Sequence, residues 1–308
     1  MSCNARECSG AIWRFLLTSA SDQPLSPTLG AGEIRELAQR LELRPSKSLG
    51  QNFVIDGNTC RKIVRLANVQ SSDVVLEIGP GLGSLTLAIL AEAKALVAIE
   101  IDRRLAKQLP DTVLQHLPKK FSDLQVINDD ALNITDLAPV HAPTILVANL
   151  PYNVSVPVLL HLLEYFPSIT RGIVMVQAEV AERLAAKPGS KVYGVPSVKL
   201  RWWADASVAS SISREVFWPV PRVDSLLLSF ARRSHPAAND EALRKRTFEL
   251  IDTAFAQRRK MLRSALATFL GSSEQASARL TELGIDPTAR AENLTLDDFI
   301  VIARGIYS

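Results

Sequence analysis

Cysteine is scarce in this chain of 308 residues. Cys3, Cys8 and Cys60 form no C-x-x-C and no second pair, which excludes a disulfide framework and a zinc site built on thiolates. Reduced cytosolic thiols, and so a cytoplasmic protein, are the expectation. Long apolar runs are also missing. None approaches the ~18–20 residues that span a bilayer, so no membrane partner is expected. Residues 11–17 (AIWRFLL) have the look of a short signal core, but Arg14 interrupts them and no small-residue cleavage site follows. Residues 1–30 are therefore expected to form a loosely ordered extension or to precede the true start. Neither sign of charge dominates: 35 basic against 32 acidic residues leave +3, which excludes a strongly basic or acidic tail. Internal repeats and low-complexity segments are absent. What remains, 47% hydrophobic and 22% charged residues, is an ordinary globular composition, long enough for about two domains.

The pattern present is an alternation of short β-rich and helical runs. An apolar helical face at Ile34, Leu37, Ala38 and Leu41 is followed by a second helix over 56–67. Strands are predicted at 74–78, 95–101, 124–127, 144–148 and 172–176, with helices at 84–93, 103–109, 156–165 and 178–186 between or behind them. This spacing predicts an α/β fold with a doubly wound, mostly parallel sheet. Two further strands, 206–212 and 225–230, read as a closing antiparallel pair. Turn chemistry at 233–240 marks a domain boundary. Beyond it the pattern is helical: 241–255, 260–270, 273–283 and 296–305. The expected domains are 31–233 and 234–308.

The chemistry-bearing residues sit at strand ends. Glu77-Ile-Gly-Pro-Gly-Leu-Gly83 lies between the first strand and its helix, where glycines let backbone approach a ligand at a positive helix end. Its spacing departs from the dinucleotide fingerprint, because the third glycine position falls on Ser84. Glu100 closes the second strand, placed for ribose hydroxyls. Asp130 follows the third, placed for an adenine amine. Three such features on successive strands point to an adenosine ligand. The loop lacks a basic residue, which disfavours a pyrophosphate and suits a sulfonium nucleoside.

Asn149-Leu-Pro-Tyr152 ends the fourth strand. An exocyclic amine on a base is a poor nucleophile, because its lone pair is delocalised. Hydrogen bonds from that amine to the Asn149 side-chain carbonyl and the Leu150 backbone carbonyl would turn the lone pair toward a methyl group. Pro151 would hold that carbonyl, and Tyr152 offers a ring for a flipped-out base. Phe217, in the loop Phe217-Trp-Pro-Val-Pro-Arg-Val-Asp-Ser225, is a candidate for the opposite face of the base. Trp202 and Trp203 are candidate stacking platforms, with core packing the expectation for at least one of them.

These segments, with Gly50-Gln51-Asn52-Phe53-Val54, resemble the ribosomal RNA adenine dimethyltransferases of the KsgA type. The resemblance runs from about residue 47 to 225 and more weakly beyond. It implies a class I S-adenosylmethionine-dependent methyltransferase domain (Rossmann-like) and a small all-helical C-terminal domain that recognises RNA. It also implies dimethylation of two adjacent adenosines in the 3′-terminal hairpin of small-subunit rRNA within the immature small ribosomal subunit, by a monomer without metal. The resemblance places Asn52 and Val54 by the methionine and sulfonium, and Gly79 and Gly81 against the cofactor. It puts Glu100 on the ribose, Asp130 on the adenine amine, Asn149 between cofactor and target, and Tyr152 and Phe217 around the target base. Val54 stands where the family has leucine. Competing readings are a large-subunit rRNA dimethylase of the antibiotic-resistance type, a non-catalytic assembly or transcription factor on the same fold, and a DNA or small-molecule methylase.

Charge is segregated along the chain. Residues 111–182 carry 3 basic against 8 acidic side chains, whereas 244–263 carry 7 against 2 and 35–65 carry 7 against 3. Basic flanks around an acidic centre suit an enzyme that grips phosphates at its edges.

Overall fold

The computed structural model describes residues 27–43, 52–137, 142–235, 237 and 239–307. Residues 1–26 of the expected extension, and Gly50 and Gln51 ahead of Asn52, lie outside the described residues. Among the described residues, no helix is long and apolar enough to cross a membrane.

In chain order the elements begin with α1 (Ala31–Arg40), β1 (Phe53–Val54), α2 (Gly57–Ala67), β2 (Val74–Ile78), α3 (Ser84–Glu92), β3 (Ala95–Ile99), α4 (Arg103–His116) and β4 (Leu124–Ile127). Next come β5 (Ile145–Asn149), α5 (Ser155–Tyr165), β6 (Arg171–Gln177), α6 (Ala178–Leu184), α7 (Val195–Leu200), β7 (Ala204–Ile212), β8 (Phe217–Trp218) and β9 (Ser225–Arg232). The tail holds α8 (Glu241–Ala256), α9 (Leu262–Ala265), α10 (Ala267–Leu270), α11 (Ser273–Glu282) and α12 (Leu296–Tyr307). Side-chain caps set several starts. Asp56 accepts from the Thr59 amide at 2.8 Å, and Asp240 accepts from the Leu243 amide at 2.9 Å.

Seven strands form one sheet in the order β4-β3-β2-β5-β6-β9-β7. The strands from β4 to β6 pair in parallel. The last two do pair antiparallel, but β9 inserts between β6 and β7, which the sequence pattern did not show. A second, two-stranded sheet joins β1 to β8, with Phe53 opposite Trp218 and Val54 opposite Phe217. The expected helix over 260–270 starts later and is divided. Its first amides, those of Leu262 and Arg263, are taken by the Ala289 and Pro287 carbonyls. Helix α4 runs past Pro110 to His116, because Leu105, Leu109 and Val113 bury one continuous face.

Alternation along the strands sends side chains to two cores. Val75, Ile145, Val147 and Ile173 face α1, α2 and α3. Leu76, Leu146, Ala148 and Val174 face α5, and that apolar cluster continues through Trp202 and Trp203 into α8 and α12. The two tryptophans are core: both are buried, and each meets Phe248 edge-on. Gly172 shows how little room the sheet leaves between its own strands. A Cβ there would lie 2.5 Å from both the Leu146 carbonyl oxygen and the Phe230 ring. Gly172→Ala is expected to destabilise the fold by about 1–3 kcal/mol, read from the urea midpoint.

Candidate active site

Strand β2 has β3 on one side and β5 on the other, so the chain leaves it in opposite directions. Such a switch point opens a crevice beyond the carboxyl ends of the strands. The loop 79–83 turns there with positive φ at Gly79, Gly81 and Gly83. Two of these positions also lack room: a Cβ on Gly81 would sit 3.0 Å from the Phe53 ring, and one on Gly83 would sit 2.9 Å from Leu109. The loop is pinned from the next strand. The Glu100 carboxylate accepts from the Gly81 amide at 3.1 Å and from the Asp102 amide at 2.9 Å. Asn128 donates to the Glu100 backbone carbonyl at 2.7 Å, tying in the loop after β4.

The crevice is open to solvent. Asn52, Val54, Gly79, Gly81, Glu100, Asp130, Asn149, Leu150, Pro151 and Tyr152 all line it. The structure therefore brings every expected site residue together except Phe217. The Phe217 ring is buried in the core beside α1 to α3, because its place in β8 opposite Val54 turns it inward. Trp218, half-buried, stacks on Phe53 at 6.2 Å instead.

The lining is acidic. Glu77, Glu100, Asp129 and Asp130 contribute to it, and no lysine or arginine does among the described residues. Burial pushes the Glu77 carboxyl up to about 8 against the hydrogen bond from Thr86, and the Glu100 charge adds to the rise. Burial also raises Glu100, opposed by the backbone amides it accepts. Glu77 went unassigned in the sequence reading. Its signal was an acid inside an otherwise apolar strand, all of whose residues are buried.

At the end of β5, Asn149 donates from Nδ2 to the Asn52 backbone carbonyl at 3.1 Å. The reverse orientation would set two oxygens together, so Oδ1 is the acceptor this side chain offers. The Leu150 amide donates to the Met175 carbonyl at 3.1 Å, which carries the β5–β6 register one residue past the strand. Tyr152 is half-buried, and burial raises its phenol. Its hydroxyl shares a 2.6 Å hydrogen bond with that of Ser225.

Glu77 has a pH signature. Its folded pKa, about 8, lies above an ordinary value near 4.5, so its stability contribution is complete below pH 4.5 and is lost as pH rises toward 8. Glu77→Gln keeps an acceptor for Thr86 and cannot ionise. The melting temperature of the variant, minus that of the parent, should grow from pH 5 to 8 and level off above. A difference that does not vary with pH would reject a neutral Glu77.

The sequence signature of the ribosomal RNA adenine dimethylase family matches residues 43–306. The chain is 56% identical over 275 residues to the ribosomal RNA small subunit methyltransferase A of Streptomyces griseus, covering 89% of this chain and 94% of that one. It is 54% identical to the protein of the same name from Thermobifida fusca, covering 92% and 98%. In fold it is similar to the crystal structure of a dimethyladenosine transferase from Plasmodium falciparum. There the TM-score is 0.68 and the identity 24%, over 80% of this chain and 94% of that one. It also resembles the 23S rRNA methyltransferase ErmE, with TM-score 0.61 and 23% identity over 83% and 100%. With a class I methyltransferase sheet, an acid-lined crevice at its switch point and this sequence kinship, the chain belongs to the ribosomal RNA adenine dimethylase family.

Proposed function

We propose that this chain transfers methyl groups from S-adenosylmethionine to the exocyclic amines of two adjacent adenosines in the 3′-terminal hairpin of small-subunit rRNA. The reaction would take place in the cytoplasm, on the immature subunit, with the protein as a monomer. The observation that carries the reading is the placement of Asn149, Leu150, Pro151 and Tyr152 in one crevice with the acid-lined loop. The donor set suits the cofactor. Carboxylates without a basic partner favour a cationic ligand rich in hydroxyls and amines and disfavour a pyrophosphate. Each Glu100 oxygen that takes a backbone amide keeps a lone pair for a ribose hydroxyl, and Asp130 stands on the adenine side. Asn52 and Val54 border the methionine side. S-adenosylmethionine, when bound, supplies an electrophilic methyl group on sulfur.

The chain's own part is to orient the nucleophile. Asn149, held by Asn52, presents Oδ1 to the target amine. The Leu150 carbonyl, with Pro151 fixing the following φ, gives a second acceptor. Two hydrogen bonds at one amine turn its lone pair away from the base, and holding that amine against the methyl donor supplies the rest by positioning. Loss of a proton from the methylated ammonium needs no strong base.

We assign residues 234–308 to RNA recognition, but not every cation there serves it. Arg244 is buried, pairs with Glu164 and packs over Trp203 and Phe248. Arg258 pairs with Glu292 at 2.7 Å and donates to the Lys191 carbonyl. These two hold the tail on the methyltransferase core. Arg259 and Lys260 are exposed.

Labelled methyl donor should mark adenosines of immature small subunits and leave large-subunit RNA unmarked; labelling of the latter would reject the substrate. Asn149→Ala should lower the transfer rate by about 10²-fold or more with RNA affinity largely kept. Reversing Arg259 and Lys260 together should weaken RNA binding and reduce the slope of log K on log salt by about 1–2, measured by titration at several salt concentrations.

A further inference from the structure

The chain after β8 meets the crevice-lining Tyr152 through Ser225 rather than through Phe217. Ser225 is fully buried as the first residue of β9, where it pairs with Gln177 of β6 on one side and Ile212 of β7 on the other. Strands on both sides fix its backbone, so its hydroxyl has a defined place at the end of β6 from which the chain enters α6. That hydroxyl meets the Tyr152 hydroxyl at 2.6 Å, across 73 residues of sequence. The backbone around Tyr152 is fixed as well. The Val154 amide donates to the Pro151 carbonyl, and the Ser155 hydroxyl donates to the Tyr152 carbonyl at the start of α5. An aromatic ring held at its backbone can still swing about its two side-chain torsions. Held at the phenol too, it cannot.

We infer that Ser225 is a positioning residue that anchors the Tyr152 phenol and fixes the ring as a preformed stacking platform for the target base. The inference rests on the proposed role of Tyr152 as that platform. A platform set before the substrate arrives costs less ordering when the base enters. Each of the two adenosines must meet the same surface at the same height above Asn149. The contribution is to orientation, so it belongs to the step after RNA has bound and not to cofactor affinity.

The test is a cycle of Tyr152→Phe, Ser225→Ala and the double variant, with Tyr152→Ala as a separate arm. Four readouts are needed: turnover on small-subunit substrate, S-adenosylmethionine affinity by calorimetry, the melting temperature, and fluorescence of an RNA carrying 2-aminopurine at the target position. The lost hydrogen bond corresponds to about 3- to 10-fold in kcat for each single variant, and the double variant should lose no more than either alone. Cofactor affinity should be unchanged, and the 2-aminopurine quenching on binding should diminish in both single variants. A merely structural Ser225 would lower the melting temperature without changing the quenching, and would overturn the inference. So would Tyr152→Phe and Ser225→Ala enzymes that turn over like the parent while Tyr152→Ala is inactive. Full activity of Tyr152→Ala would instead remove the platform reading itself.

Discussion

The site depends first on one buried carboxylate. Glu100 directly follows β3, and its two oxygens take the amides of Gly81 in the neighbouring loop and Asp102 at the start of α4. A carboxylate so bound replaces water at both amides and ties the turn after β2 to the turn after β3. Without it the glycine loop, with three residues at positive φ and two of them crowded by Phe53 and Leu109, would have no partner holding its middle. Its backbone carbonyl does a third job by receiving Asn128. The ends of three strands are thereby fixed relative to one another by one side chain and its own peptide group.

That arrangement is costly in isolation. Four acids share a crevice with no cation among its lining residues, and burial, with a neighbouring carboxylate in each case, raises both Glu77 and Glu100. Hydrogen bonds offset the cost unequally. Glu100 has two backbone donors, while Glu77 has the Thr86 hydroxyl alone among the described contacts and climbs to about 8. A fold that sought only stability would place apolar side chains here, as it does along the rest of β2. Unfavourable charge concentrated at a switch point is a mark of ligand binding, since a cationic ligand offsets it when bound.

Most of the sheet was legible because parallel strands buried on both faces leave unbroken apolar runs between helical periods. The acids and the Asn-Leu-Pro-Tyr segment were legible because they interrupt those runs at strand ends. Three features were not. Strands β1 and β8 have two residues each, too short for any period, so the small sheet joining Asn52 to the loop after β7 left no trace. That same pairing turns Phe217 into the core, a two-residue alternation that composition cannot reveal. The insertion of β9 beside β6 depends on contacts far apart in sequence. Charge was misleading in a related way. Arg244 and Arg258 read as part of an RNA-binding run, yet Glu164 and Glu292, 80 and 34 residues away, claim them.

The near-zero net charge has a spatial consequence. Four acids line the crevice, while the exposed Arg259 and Lys260 lie on the turn between α8 and α9. For the proposed RNA substrate these fields act in opposite senses. Phosphates are drawn to the tail and repelled from the crevice mouth, so the part of a nucleotide least opposed there is its uncharged base. Repulsion of the backbone and attraction of the flanks favour a base turned out of its strand toward the ring of Tyr152. Under the proposed function, the acids that would suit a cationic cofactor would therefore also select the base as the end of the nucleotide that enters.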